Sequence, residues 1–173
     1  MYYLSTYLSP IGMLTMACDS DNLVGLWIEG QKYFGNTIPK ESEIKNDTKV
    51  FITTKKWLDR YFSGEKPNIS ELPLAPIGSE FRQSVWSILC ELPYGKVITY
   101  GEIAKKIALK TNKKIMSSQA VGGAIGHNPI SIIIPCHRVV GSNGRLTGFS
   151  GGIDKKIKLL ELEGVDMSNL FTP

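Results

Sequence analysis

The segment Ile132-Ile133-Ile134-Pro135-Cys136-His137-Arg138-Val139-Val140 concentrates the chemistry of this chain. A thiol follows directly on an apolar run and a proline. Proline fixes its own φ and drives the preceding residue to extended geometry, so the backbone delivers Cys136 to one defined place. A histidine and an arginine come next. Proton-accepting or positive neighbours raise the thiolate fraction, and the thiolate is the nucleophile. The pattern predicts an activated cysteine at position 136.

The other two cysteines read differently. Cys18 falls in an apolar strand and Cys90 on an apolar helix, where thiols serve as small packing groups. An odd number of cysteines without close spacing makes no disulfide framework and suits a reducing compartment. Zinc wants about four Cys or His ligands, usually in spaced pairs. Three scattered cysteines with His127 and His137 do not supply that, and no metal site is expected. An activated thiol leaves several classes open. One is a cysteine hydrolase, which passes through an acyl-enzyme, needs an oxyanion hole and turns over repeatedly. Another is a DNA-binding or damage-sensing module in which the thiol is a redox sensor.

The elements that must position Cys136 are legible in outline. With 173 residues the chain can form one domain or two small ones. Residues 2 to 28 read as short strands separated by turns at Pro10-Ile11-Gly12 and Asp19 to Asn22, a meander. Residues 29 to 46 are polar and irregular. Asp47 is placed to cap a helix to about Phe62, with Val50, Phe51, Thr54, Trp57, Leu58 and Tyr61 at helical spacing. Pro67, Pro73 and Pro76 mark a linker, which divides the chain into 1–75 and 76–173. The second part reads as mainly helical. Ser79, Thr99, Ser117 and Asp154 are candidate caps, Pro93-Tyr94-Gly95 is a turn, and Ile130 to Ile134 reads as a buried strand leading into Cys136. The fold class is therefore α/β.

Charge and composition set limits. Charged residues make up 21% and the net charge is +4, which suits a polyanionic partner without establishing one. The N-terminus lacks a charged stretch followed by an apolar one, so no signal peptide is expected. No apolar run approaches the ~20 residues that span a bilayer. A cytoplasmic chain without membrane contact is the expectation.

Pro135-Cys136-His137-Arg138-Val139 resembles the acceptor-cysteine motif of the O6-alkylguanine-DNA alkyltransferases. The resemblance continues, in the family's order, through Val121-Gly122-Gly123-Ala124, Asn128-Pro129, Gly148-Phe149-Ser150-Gly151-Gly152, Lys158-Leu159-Leu160 and Glu163-Gly164. It is dense over residues 79 to 165. It implies a small ribonuclease-H-like N-terminal sheet with helix, and a C-terminal domain carrying a helix-turn-helix. The implied function is single-turnover, stoichiometric repair: an alkyl group moves from O6 of guanine, or O4 of thymine, in double-stranded DNA to Cys136. No cofactor is implied, since DNA is the donor, and the chain is expected to act as a monomer. Cys136 set beside Tyr100, Asn128 and Glu163 is something neither rival class requires.

By the same resemblance, His137 accepts the thiol proton through a water and Glu163 orients His137. Tyr100 hydrogen-bonds the base, Ser150 donates to O6, the carbonyl of Val139 receives the exocyclic amine, and Phe149 completes the base-binding set. Asn128 ties the short helix to the segment ahead of Cys136. The stretch from Thr99 to His127 corresponds to the helix-turn-helix, whose second helix enters the minor groove. Ser118, Gln119, Ala120 and Gly123 on that helix, with Arg138, form the implied DNA contacts; the turn before the helix is longer than the family's short form, and its Lys113 and Lys114 are expected to add phosphate contacts. Gln119 departs from the family's arginine, which enters the gap left by a flipped base. Ser131 stands where some relatives have proline, and is expected to leave pocket space for larger alkyl groups.

Overall fold

The computed structural model describes residues 1–113 and 116–173, which form two compact units. The first is Met1–Gly78 together with Pro129–Ile133; the second is Ser79–Asn128 together with Ile134–Pro173. A division at 75/76 does not anticipate the return of five residues to the first unit.

In the first unit, β1 (Tyr3–Ser9), β2 (Gly12–Cys18) and β3 (Leu23–Ile28) form an antiparallel meander. The short β4 (Glu43–Ile44) adds a parallel edge, giving the order β3-β2-β1-β4. Every residue of β3 is buried, as its unbroken apolar run requires. Helix α1 (Lys49–Phe62) packs on the first three strands through the stripe Val50, Phe51, Thr54, Trp57, Leu58 and Tyr61. Its cap is Thr48, one residue beyond the expected Asp47: the Thr48 hydroxyl accepts from the backbone N of Phe51.

The segment 130–134 is buried but does not form the expected strand. Ile130 makes a single bridge with Leu26, and the chain then turns through residues 131–133. Ile132 has φ 73°, a left-handed conformation that β-branched residues rarely adopt. Ser131 is fully buried, and its hydroxyl hydrogen-bonds Gln31 Oε1 at 3.1 Å. It fills a polar niche of the first unit.

The second unit contains α2 (Glu80–Cys90), α3 (Tyr100–Lys110), α4 (Ser118–Gly126) and α5 (Ile153–Leu162). Ser79, Thr99 and Ser117 cap the first three, Thr99 through a reciprocal box with Glu102. α5 is preceded by Gly152, with φ 98°, in place of the expected Asp154 cap. Asp154 lies inside the first turn, where its charge still complements the helix dipole. Trp86 of α2 donates its indole N–H to the Ala124 carbonyl at 2.9 Å, which fixes the C-terminal turn of α4. Among the described residues no helix is long and apolar enough to cross a membrane.

Candidate active site

Cys136 opens a one-turn 3-10 helix, Cys136–Arg138, and is only 3% exposed. Two devices hold it. The Asn128 side chain donates to the Ile134 carbonyl at 2.9 Å, closing the neck of the excursion made by residues 129–133. Beyond the turn, β6 (Val139–Val140) pairs in parallel with β5 (Ile98–Thr99), with Ile98 opposite Val139 and Thr99 opposite Val140. Tyr100, the first residue of α3, is thereby brought beside the cysteine turn.

Burial pushes the Cys136 thiol above its ordinary value. The Asn128 amide, the Lys156 ammonium and the backbone N–H groups of Cys136 and His137 pull against that. The resting group is a thiol, which needs a base. His137 is fully buried, with Nε2 2.5 Å from Glu163 Oε2. Its Nδ1 has no hydrogen-bond partner among the described residues. Burial holds His137 below its ordinary value, with the charges of Arg138 and Lys156 adding to the effect against the pull of Glu163. Glu163 ends α5 and is buried. Burial alone raises a carboxyl, but His137 and Arg138 together hold this one well below the usual carboxylate range.

The expectation that Arg138 contacts DNA is not met. Its guanidinium is turned inward: Nε lies 2.7 Å from Glu163 Oε1, Nη2 3.2 Å from Oε2, and Nη1 2.8 Å from the Leu92 carbonyl. A buried carboxylate demands a matched cation, and Arg138 supplies it. For the same reason Arg138 does not act on the thiol as a neighbouring positive charge.

That part is taken by Lys156, which the motif around Cys136 does not reveal. Its side chain is fully buried, and Nζ donates to the carbonyls of Val139 at 2.5 Å and Thr147 at 2.9 Å. Burial brings its pKa down to about 8 against the counter-pull of Cys136. A signal was present. Ile153, Lys156, Ile157 and Leu160 fall on one helical stripe, so a lysine interrupts an apolar face. Tyr100 donates its hydroxyl to the same Thr147 carbonyl at 3.2 Å. Burial, with the Cys136 charge adding, pushes that phenol up to about 12, so it remains a donor at neutral pH. Gly148 permits this approach, because a Cβ there would stand 2.6 Å from the Tyr100 oxygen.

Phe149 is buried and Ser150 half-buried in the turn that leads to α5. Ser118, Gln119, Ala120 and Gly123 are exposed on α4, and space beside Gly123 is open. Lys113 is exposed; Lys114 lies outside the described residues. Among the described residues no three His, Cys, Asp or Glu side chains are grouped to hold a metal ion.

The family model described as 6-O-methylguanine DNA methyltransferase, DNA binding domain, matches residues 80–165. The model for the ribonuclease-like domain of the same methyltransferases matches residues 1–76. The chain belongs to the 6-O-methylguanine DNA methyltransferase family. Similar relatives named methylated-DNA–protein-cysteine methyltransferase occur in Methanosarcina acetivorans and Haemophilus influenzae. The first is 45% identical over 95% of this chain and 99% of its own length. The second is 42% identical over 94% of this chain and 87% of its own length. Among solved structures, Mycobacterium tuberculosis OGT in complex with DNA is similar at a TM-score of 0.79. It is 40% identical, covering 94% of this chain and 91% of that one. Membership of the methyltransferase family accounts for both the mixed α/β architecture and the order of the motifs around Cys136.

Proposed function

We propose that this chain repairs alkylated DNA directly, by moving an alkyl group from O6 of guanine to Sγ of Cys136 in a single turnover. The observation that carries the reading is the buried array Cys136–His137–Glu163, with an unpartnered Nδ1 on the histidine. The thiol proton passes to Nδ1, and sulfur attacks the alkyl carbon in line. The carbon–O6 bond breaks and its electrons remain on guanine. Tyr100, held protonated, is the donor for that developing anion. Ser150 is assigned to O6. The Val139 carbonyl, whose oxygen has two lone pairs, accepts from the exocyclic amine alongside Lys156.

An alkyl carbon inside a duplex is out of reach, so the base leaves the stack. We assign α3 and α4 to a helix-turn-helix, with the small exposed face of α4 entering the minor groove. That groove is about 6 Å wide, against ~10–12 Å for a helix with ordinary side chains. The small side chains of Ser118, Ala120 and Gly123 support this reading. We take the working form to be a cytoplasmic monomer.

The test is intact mass after mixing with duplex DNA carrying a single O6-methylguanine. One methyl per chain is expected, mapping to Cys136. Multiple turnovers, or methylation of Cys18 or Cys90, would overturn the reading. A hydrolase or a plain binding module would leave the mass unchanged.

A further inference from the structure

Arg138 turns its whole guanidinium to the interior. Glu163 sits at the C-terminal end of α5, where the helix dipole opposes a negative charge. Four donors among the described residues converge on it. Arg138 Nε and the Gly95 backbone N–H reach Oε1, at 2.7 and 3.0 Å, while His137 Nε2 and Arg138 Nη2 reach Oε2, at 2.5 and 3.2 Å. The guanidinium is itself held in place. Nη1 donates to the Leu92 carbonyl, its carbon lies 5.7 Å from the centre of the Tyr94 ring, and the Tyr94 hydroxyl donates to the Leu162 carbonyl at 3.3 Å. Gly95, with φ 75°, lets this turn approach, since a Cβ there would meet the Glu163 carbonyl at 2.9 Å.

We propose that Arg138 is a positioning residue for catalysis: by gripping both oxygens of Glu163 it fixes His137 as a neutral imidazole, proton on Nε2 and lone pair on Nδ1. This rests on the assignment of His137 as the base for Cys136. A carboxylate already matched by a fixed guanidinium has no net charge left to draw a second proton onto the imidazole. It still accepts the Nε2 proton, and so sets the tautomer. The charged groups acting on His137 are Arg138 on its own turn, Lys156 on α5 and Glu163 at the end of α5, and the Cys136 thiol precedes it in the chain. Tyr94, from the 93–95 turn, faces Arg138 and Glu163; burial raises its phenol, so it adds no charge at neutral pH. Two cations therefore face one carboxylate around the base. When the thiol proton arrives at Nδ1 and the carbon–sulfur bond forms, the imidazolium persists only until the proton passes on to solvent or to the departing guanine. The same surroundings that keep the imidazole neutral at rest favour that release.

The experiment follows the imidazole nitrogens of His137 by 15N NMR in the DNA-free protein, from about pH 5 to about pH 8.5. The wild-type chain should show the neutral Nε2–H tautomer at neutral pH. In Arg138→Gln the carboxylate loses its matching cation, and the midpoint should rise by at least about one pH unit, leaving roughly tenfold less neutral base at about pH 6. Arg138→Lys keeps the charge without the fork, and its midpoint should fall between the two. A doubly protonated His137 in the wild-type chain at neutral pH overturns the proposal whether or not the variants fold. So does an Arg138→Gln or Arg138→Lys midpoint equal to that of the wild type. The outcome is separable from the repair reading: a wild-type chain that gains no methyl on Cys136 ends that reading, while the tautomer of His137 is measured without DNA.

Discussion

Cys18 and Cys136 are both buried thiols, one in each compact unit, and burial pushes both above the ordinary thiol range. Their surroundings diverge from there. Cys18 ends β2, with its sulfur 3.6 Å from the Thr48 hydroxyl; that hydroxyl and the Lys45 charge pull against burial, while the Asp19 charge adds to it. Thr48 is already committed to capping α1. Cys136 has an amide, an ammonium and two backbone N–H groups working against burial, and a neutral histidine next in the chain. Burial protects a thiol from stray chemistry in either place. Groups that stabilise the anion act on both thiols, but only Cys136 has a histidine next in the chain able to take its proton, which is what a nucleophile needs.

The largest effect expected from this contrast is at the cysteines themselves. Cys136→Ala should abolish methyl transfer, and Cys18→Ala should leave the transfer rate unchanged, as read by intact mass against time. Activity surviving the first substitution would move the acceptor elsewhere. Glu163→Gln comes next. It removes the charge that Arg138 and His137 share, and breaking a buried ion pair costs about 3–5 kcal/mol of stability. Single-turnover transfer should slow by about 100-fold, a loss of the size general-base catalysis supplies, while affinity for undamaged duplex stays near that of the wild type. An unchanged rate would leave Glu163 a structural role only.

Lys156→Met should have an intermediate effect, because it removes the buried ammonium that pulls the Cys136 thiol down. Without the ammonium, the thiol moves further up. A shift of about one unit leaves roughly tenfold less thiolate at neutral pH. The sign with pH is fixed by Lys156 itself, whose folded-state pKa is about 8 against an ordinary 10.5. As pH rises past about 8 the wild-type ammonium loses its proton, so the rates of wild type and variant toward a small electrophile should converge. Over the same window the folded chain releases this proton before the unfolded one does, so wild-type stability should rise between pH 8 and 10.5 relative to the variant. Parallel rate profiles that never converge would remove Lys156 from the electrostatics of the thiol.

Much of this arrangement is legible in the sequence. The meander, the stripe of α1 and the caps Ser79, Thr99 and Ser117 follow from local chemistry, because strand alternation, helical spacing and side-chain capping are decided within a few residues. The motif around Cys136 points to the thiol and its histidine neighbour, and the partner carboxylate Glu163 comes only with the family resemblance. What escapes is set by distant groups. The run 130–134 looks like a strand because apolar β-branched residues mark buried extended chain. The turn at Ile132 depends instead on the anchoring of Pro129 and Ser131 to Leu26. Arg138 reads as a positive neighbour of the thiol and, by resemblance, as a DNA contact, until a carboxylate 25 residues later claims it. Lys156 sits on an apolar stripe, but spacing alone cannot say that two carbonyls await it.

The smallest expected effect concerns α4, and it tests whether this unit handles duplex DNA as well as it handles the thiol. Gln119 is exposed at the start of α4, beside the small residues Ser118 and Ala120. Extruding a base costs a few kcal/mol of stacking and pairing, and less when the base is mispaired or single-stranded. A side chain that fills the gap offsets part of that cost, and an arginine there also draws the phosphate backbone. Glutamine does the first with a shorter reach and cannot do the second. Gln119→Arg should therefore speed single-turnover repair of a fully paired duplex severalfold, by about 1 kcal/mol. It should help a single strand less and leave reaction with the free methylated base unchanged. Lys113→Ala should act in the opposite direction on duplex alone, because an exposed lysine near the helix can attract phosphate but cannot reach into a pocket. Its effect should shrink as salt is raised, since screening removes the attraction that the substitution deletes. If Gln119→Arg changes all three substrates equally, position 119 acts through the pocket or through folding, and the division between a reactive interior and a base-extruding surface fails.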